Sequence, residues 1–501
     1  MSVAYDYDAA SLIRRVSARE KLLVIDGKLV PSASGKTFKS INPATEAVIA
    51  TVSEGGVEDV ERAVAAARRA FEGPWSLMRA AERSKILFRL ADLMKERADE
   101  LAELESLDAG KPISGVLRQD LPAAIDTLTY YAGWADKVHG ETIPAREDAL
   151  TYTVREPVGV VAAIVPWNFP MMIGMWKLAP ALACGCTVVM KPAELTSLSA
   201  LRIAELALEA GLPAGVFNVV AGSGRVVGEA LVNHPDVDKV TFTGSPGVGR
   251  GIMKGAASNF KHVSLELGGK SANVIFEDAD LAAATKAAAS GVFFNAGQVC
   301  SAGSRVLAHE KVYDEVVERL TARARTMKIG DPSDRSTMLG PVISQKQMDS
   351  ILGYVDIGLK EGASLTTGGE RVGDRGFYIA PTVFANVEHE MRISQEEIFG
   401  PVASVVKFKD DADALRIANG TAFSLAAGAW SRDIGRLQHF ARHAKAGTVW
   451  LNTFGYTDVR LPWGGAHDSG LGRERGTAAL KNFTEEKVVW LNTRGVNACL
   501  V

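Results

Sequence analysis

Cysteine is scarce, with four residues in a chain of 501. That excludes a disulfide-stapled secreted scaffold, which depends on dense cross-linking. Metal-ligand clusters are equally thin. Cys184 and Cys186 have the spacing of neighbours on one face of a strand, but no second Cys or His pair stands near them to complete a zinc site. His439 and His443 share a helical face, yet His439-Phe440-Ala441-Arg442-His443 lacks the glutamate of a zinc-protease helix. Both pairs read as structural, no metal is expected, and reduced cysteines fit a cytoplasmic protein. A surplus of one charge is missing too. The net charge is −3 with acids and bases interspersed, so neither nucleic acid nor another polyanion is an expected partner. No apolar run is both long and unbroken. Pro157 to Trp176 carries no charge and has about the length of a membrane span, but Pro166, Asn168 and Pro170 interrupt it. Met1 to Ala10 holds acids and tyrosines without a basic flank, so no secretory signal is read. Repeats and low-complexity segments are absent.

Hydrophobic residues make up 47% and charged residues 23%, ordinary values for a globular chain long enough for two or three domains. Residues 57–73 and 80–107 are rich in Ala, Leu, Glu and Lys at helical spacing. From residue 158, short apolar runs alternate with amphipathic segments. Val158–Val165, Val216–Val220 and Val237–Phe242 read as strands, and Ser197–Ala210, Gly224–Val232 and Pro246–Ala257 as helices. From about residue 267 the alternation starts afresh, with strands at Asn273–Phe276 and Val306–His309 and helices at Leu281–Phe294 and Tyr313–Met327. Alternation of this kind predicts an α/β fold with parallel sheets covered on both faces. Two such units predict a cleft between them, a preferred place for a small-molecule site.

Cys300 ends an apolar segment and enters a turn of small polar residues, Asn295-Ala296-Gly297-Gln298-Val299-Cys300-Ser301. Glu266 lies at the expected seam, in Leu265-Glu266-Leu267-Gly268-Gly269-Lys270. A thiol and a carboxylate beside glycine-rich backbone are the minimum for covalent catalysis, one as nucleophile and one as base. Two glycine clusters could cradle a dinucleotide. Gly222-Ser223-Gly224-Arg225-Val226-Val227-Gly228 is one residue longer than the usual fingerprint. Thr243-Gly244-Ser245-Pro246-Gly247-Val248-Gly249 runs from a strand directly into a helix, whose first N–H groups are free to meet a pyrophosphate. Near the end, Val488-Val489-Trp490-Leu491 is a strand-like run with no obvious partner elsewhere in the chain.

Seven segments together resemble the aldehyde dehydrogenase superfamily in order and spacing, over roughly residues 22 to 492. They are Pro166-Trp167-Asn168-Phe169-Pro170, Lys191-Pro192-Ala193-Glu194, Phe242-Thr243-Gly244-Ser245, Leu265 to Lys270, Gly297-Gln298-Val299-Cys300, Glu396-Glu397-Ile398-Phe399-Gly400-Pro401, and Pro462-Trp463-Gly464-Gly465 followed by Ser469-Gly470-Leu471-Gly472-Arg473-Glu474. The resemblance implies a modified Rossmann cofactor domain (1–134 and 158–266), an α/β catalytic domain (267–479), and a small β oligomerisation element with its tail (135–157 and 480–501). It implies NAD as cofactor and a homo-oligomer, dimer or tetramer. Gly244 and Ser245 match the pyrophosphate contact, Gly224 a residue packing near the adenine, Lys191 a lysine reaching the ribose hydroxyls, and Glu194 the acid beside the adenosine ribose. A carboxylate there accepts from the 2′-hydroxyl and repels a 2′-phosphate, which favours NAD over NADP. Glu397 and Phe399 match residues holding the nicotinamide ribose, and Ile164, Pro166, Trp167, Val248 and Leu267 are expected along the cofactor as well.

On this resemblance the catalytic residues are Cys300, Glu266, Asn168 and Lys191. Cys300 adds to an aldehyde, Asn168 and the Cys300 N–H hold the oxyanion, and Glu266 activates water against the thioester. Glu474 matches an acid that relays the proton onward, although Arg473-Glu474-Arg475 also has the look of an exposed charge cluster. Phe169, Met172, Trp176, Phe294, Val299, Thr457 and Trp463 match the substrate tunnel, expected to be aromatic and largely uncharged. Its tryptophans could hold a cation, as in relatives acting on aminoaldehydes or betaine aldehyde, but Phe169 stands where those often have tyrosine. A CoA-acylating semialdehyde dehydrogenase is the nearest rival, and Glu266, which such relatives lack, speaks for hydrolysis. A cysteine hydrolase would leave the dinucleotide residues unexplained. A silent NAD-binding relative would be expected to have lost Cys300, Glu266 or Asn168.

Overall fold

The structure is a computed structural model that describes residues 20–494. The outer ends of the expected cofactor domain and tail, 1–19 and 495–501, lie outside the described residues, as does the Met1–Ala10 segment. The apolar β-branched runs form two parallel sheets. In the first, five parallel strands lie in the order His262–Glu266, Lys239–Thr243, Val160–Ile164, Thr187–Lys191 and Phe217–Val219. Antiparallel edges close it, Gly470–Leu471 beside the first strand and Leu23–Ile25 with Lys28–Val30 beyond the last. Val160–Ile164 and Thr187–Lys191 are buried along their whole length, as strands covered on both faces must be. The second sheet orders six parallel strands as Thr382–Val387, Val402–Phe408, Arg305–His309, Ala272–Ile275, Ala426–Trp430 and Thr448–Leu451, with Ser364–Thr367 antiparallel at the edge.

The helices at Val57–Glu72, Leu198–Glu209, Pro246–Ala256, Leu281–Phe293 and Tyr313–Arg325 stand within about a turn of the expected bounds. The 80–107 segment is two helices, Ala80–Glu96 and Ala98–Ala109, divided at Arg97. Gly224–Val232 is a wide π-helical turn, Gly224–Gly228, leading into Glu229–Asn233. Three long helices have no counterpart in the sequence reading: Leu121–Ala132, Pro170–Cys184 and Gln345–Lys360. Pro170–Cys184 is buried at all fifteen positions, so it has no polar face and no amphipathic period to betray it. Its course also corrects the placement of the cysteine pair. Cys184 ends the helix and Gly185, at φ 94°, turns the chain before Cys186 leads into the next strand. The two thiols face backbone carbonyls of Leu480 and Phe483 instead of sharing a strand face.

The terminal strand does have a partner in its own chain, contrary to the sequence expectation. Thr484–Asn492 pairs antiparallel with Ala149–Pro157 over nine residues, from Thr484 opposite Pro157 to Asn492 opposite Ala149. The partner strand, Ala-Leu-Thr-Tyr-Thr-Val-Arg-Glu-Pro, is too polar to stand out as a core strand. Lys487 and Glu156 meet at 2.5 Å across the ladder. The pair still presents Leu150, Val488, Trp490 and Leu491 to the outside, each at least 44% exposed. Deleting residues 484–501 strips Ala149–Pro157 of its ladder and leaves a bare strand edge. The expected result is aggregation and a thermal midpoint lower by several degrees, read by light scattering and calorimetry.

Candidate active site

The carboxyl ends of the parallel strands of the first sheet lie side by side. Ile164 pairs in register with Lys191 and with Phe242, and Thr243 with Glu266. Ligands of open α/β sheets gather at such a rim. Glu266 is the last residue of its strand, and Leu267 to Ser271 carry the chain directly into the second sheet at Ala272. Two glycines are needed there. A Cβ on Gly269 would stand 2.2 Å from the Cys300 carbonyl oxygen, and one on Gly268 2.3 Å from Glu397 Oε2. The sheet crossing therefore passes flush against the cysteine turn.

That turn is wound against its usual hand. Asn295, Ala296 and Gly297 all have left-handed dihedrals, with φ of 51°, 53° and 71°. For the two non-glycine residues this costs about 1–2 kcal/mol each, so something must hold it. Gln298 does so twice, donating from Nε2 to the Asn295 carbonyl at 3.1 Å and accepting from the Ile343 N–H at 2.9 Å. The loop after Val160–Ile164 is fastened to the same turn. Asn168 Nδ2 donates to the Gln298 carbonyl at 2.9 Å, and Asn295 Nδ2 donates back to the Asn168 carbonyl at 3.1 Å. Lys111 Nζ reaches that carbonyl too, at 3.1 Å, with its ammonium 3.8 Å from the centre of the Phe169 ring. Asp120 ion-pairs with the same ammonium in a fully buried position. Glu105 accepts from the Met171 N–H at 3.1 Å, and burial pushes its carboxyl up to about 8 against the pull of Lys111.

Cys300 is half-buried in this setting. Burial raises its thiol well above the ordinary range, and the nearby carboxyls of Glu266 and Glu397 raise it further. Glu266 is 4% exposed and neither of its oxygens has a hydrogen-bond partner among the described residues. Burial, and then the Glu474 carboxyl, lift it well above the usual carboxylate range. The neighbouring Glu474 carboxyl thus favours the neutral form of Glu266. Glu474 is no surface charge. It is 4% exposed, ion-paired with the fully buried Lys177, and accepts from Thr241 Oγ1 at 3.2 Å.

The expected cofactor residues occupy one face of this rim. Lys191 is not a solvated loop cation but the last residue of its strand, 4% exposed, its ammonium lowered by burial and supported by Glu194. Gly224 faces it, since a Cβ there would lie 4.0 Å from Lys191 Nζ. Ser245 caps Pro246–Ala256, with Val248 53% exposed in its first turn, and Leu267 packs beneath at Gly249. Glu397 accepts from the Gly269 N–H at 3.0 Å while burial lifts it to about 7. Phe399, at φ 56°, meets Trp167 edge-to-face at 5.2 Å, one residue beyond half-buried Pro166.

The tunnel residues divide. Phe169 and Phe294 stack at 6.2 Å, Trp176 and Trp463 tilt against each other at 6.2 Å, and Val299 packs on the core. Met172, Trp176 and Thr457 share a cavity of about 390 Å³. This cavity is not largely uncharged as expected. Asp126, Asp458, Arg460 and Arg475 also line it, brought in by the helix Leu121–Ala132 and the 458–475 segment, far in sequence from Met172 and Trp176. Lys111, Asp120, Lys177, Asn295 and Arg475 escaped the sequence reading as well. Lys111 carries the one local signal, a lysine between Gly110 and Pro112 just past a helix end.

Fold and site define an α/β protein in which a thiol and a buried carboxyl meet where two parallel sheets join. Residues 29–489 match the aldehyde dehydrogenase family. The chain belongs to that family. It is 50% identical to an aldehyde dehydrogenase of Emericella nidulans over 93% of this chain and 94% of the relative. It is 48% identical to the mitochondrial benzaldehyde dehydrogenase of Antirrhinum majus, over 95% and 89%. The NAD+ complex of a Bacillus cereus aldehyde dehydrogenase superposes with a TM-score of 0.95 at 48% identity, covering 96% of this chain and 98% of that one.

Lys111→Met leaves the fully buried Asp120 carboxyl without its ion-pair partner, a loss of about 3–5 kcal/mol in comparable sites. Urea unfolding monitored by tryptophan fluorescence should show a loss of that size.

Proposed function

We propose that the protein oxidises an aldehyde to its carboxylic acid with NAD, through an acyl group held on Cys300. One observation carries the reading: Cys300, the Asn168 amide and the uncommitted Glu266 carboxyl are gathered at the rim where the two sheets join. The chain's own residues fit the cofactor. Buried Lys191 and exposed Glu194 suit ribose hydroxyls, the Ser245-capped helix suits a pyrophosphate, and Glu397 with Phe399 suits the second ribose. When bound, NAD supplies the acceptor for the hydride lost by the aldehyde carbon.

The half-buried thiol passes its proton to solvent water, and the thiolate sulfur adds to the carbonyl carbon, moving the π pair onto oxygen. Asn168 has two amide donors. One is committed to Gln298, which orients the group, and the other remains for the oxyanion. The Cys300 N–H donates to no other described residue and forms the second donor. A protonated Glu266 assists this stage, because an ionised one would repel the thiolate. Return of the oxygen pair with loss of hydride leaves a thioester. Glu266, having released its proton towards Glu474 and Lys177, takes one from water; the hydroxide adds, the carbon–sulfur bond breaks, and the acid leaves. Hydrolysis of this kind, with Glu266 in place, is favoured over transfer to CoA.

We further assign 20–134 and 158–266 of the described chain to the cofactor domain and 267–479 to the catalytic domain, with 470–471 returning to the first sheet. The exposed apolar strip on 149–157 and 484–492 supports a homo-oligomer, dimer or tetramer, and the free cysteines support a cytoplasmic location.

Glu266→Gln should accumulate a thioester, seen as an added acyl mass on the intact protein after mixing with aldehyde and NAD. In the wild type, turnover should climb with rising pH through a range above that of an ordinary carboxylate, because burial favours the protonated form of Glu266; in the variant that climb should vanish. Glu194 should favour NAD over NADP by roughly tenfold or more, the effect of a like-charge contact near 4 Å, and Glu194→Ser should narrow the kcat/KM ratio.

A further inference from the structure

The wall of the 390 Å³ cavity contains a cation with no ion-pair partner among the described residues, on which the carboxyls of Asp458 and Glu474 act only at longer range. Arg475 is 4% exposed, yet among the described residues no carboxylate ion-pairs with it and its side chain makes no hydrogen bond. Its Nε is fully buried and unpartnered. The guanidinium carbon lies 5.1 Å from the centre of the Trp176 ring, so a tunnel face that could take a substrate cation already carries one. Two other acids reach the cavity. Asp458 is engaged at both oxygens by Arg460, at 2.8 and 2.6 Å. Asp126 is exposed at the rim, where water screens it. Burial lowers the Arg475 guanidinium to about 10, which leaves it charged at neutral pH. A buried guanidinium offering planar donors beside Met172 and Trp176 suits a carboxylate, which can accept from it in bidentate fashion.

We propose that Arg475 reads the far end of the substrate, and that the aldehyde carries a carboxylate at the opposite end from its carbonyl. The substrate class is the semialdehyde of a dicarboxylic acid. The inference rests on the reading of Cys300 as the reacting thiol, because the cavity shared by Met172, Trp176 and Thr457 then holds the part of the substrate remote from the chemistry. Met172, Trp176 and Val459 take the methylene chain and Arg475 takes the charge. A trimethylammonium aldehyde meets a like charge over Trp176 and is disfavoured.

The test has a kinetic and a binding arm. Straight-chain semialdehydes of increasing length, their methyl esters and ω-trimethylammonium aldehydes are assayed with NAD on wild type, Arg475→Gln and Arg475→Lys. Separately, the matching dicarboxylates and their diamides are titrated against tryptophan fluorescence in the same three proteins. The expected result is a kcat/KM ratio of carboxylate over ester of roughly tenfold or more, lost in Arg475→Gln and partly kept in Arg475→Lys, with dicarboxylate binding following the same order. A wild type that oxidises the esters as well as the carboxylates, or an Arg475→Gln variant that lowers both alike, overturns the proposal while the aldehyde-oxidising reading stands. If no aldehyde is oxidised but dicarboxylate binding still depends on Arg475, the reading of Cys300 fails and the anion site survives.

Discussion

The site depends on a small lattice of amides. Asn168, Asn295 and Gln298 hold one another through side-chain and carbonyl bonds, and between them they fasten the loop of one sheet to the left-handed turn that carries Cys300. Without it the turn would relax towards ordinary dihedrals and the thiol would leave its place beside Glu266. The lattice is also what gives Asn168 a fixed direction, since an amide free to rotate presents its donors to nothing in particular. Preorganised donors of this kind stabilise developing charge without reorganising at the moment of reaction.

Behind the lattice stand charges that burial makes costly. Lys111 with Asp120, and Lys177 with Glu474, are ion pairs taken out of water, and such pairs add little net stability compared with well-packed apolar groups. Their value here is positional. Lys111 anchors the Asn168 carbonyl, and Lys177 holds the Glu474 carboxyl, which raises the proton affinity of Glu266. The apolar surroundings that raise the thiol and the carboxyl are thus tuned by a few fixed charges one layer further out.

The alternation of strands and helices from residue 158 was legible because parallel strands are uniformly apolar and their flanking helices are amphipathic. Cys300, Glu266 and Asn168 were legible because each sits in a distinctive small-residue or proline-bounded segment matching a known family. Pro170–Cys184 was not, since a helix buried on every side has no period to read. Lys177 and Arg475 were hidden for a related reason. Nothing local separates a lysine that will be buried from one that will be solvated, and the distinction arises only when segments hundreds of residues apart close over it. The same holds for Ala149–Pro157, whose partner strand lies at the far end of the chain.

That ladder has a consequence for biosynthesis. Lys487 and Glu156 are 331 residues apart in the chain. At about 5–20 residues per second, the earlier strand emerges from the ribosome on the order of 15–70 s before its mate exists. Throughout that interval Ala149–Pro157 is an open edge on a nascent chain, able to pair with its counterpart on a neighbouring polypeptide. Arg155 and Glu156, which meet Glu486 and Lys487 in the finished protein, place charge on the waiting strand and discourage such mispairing.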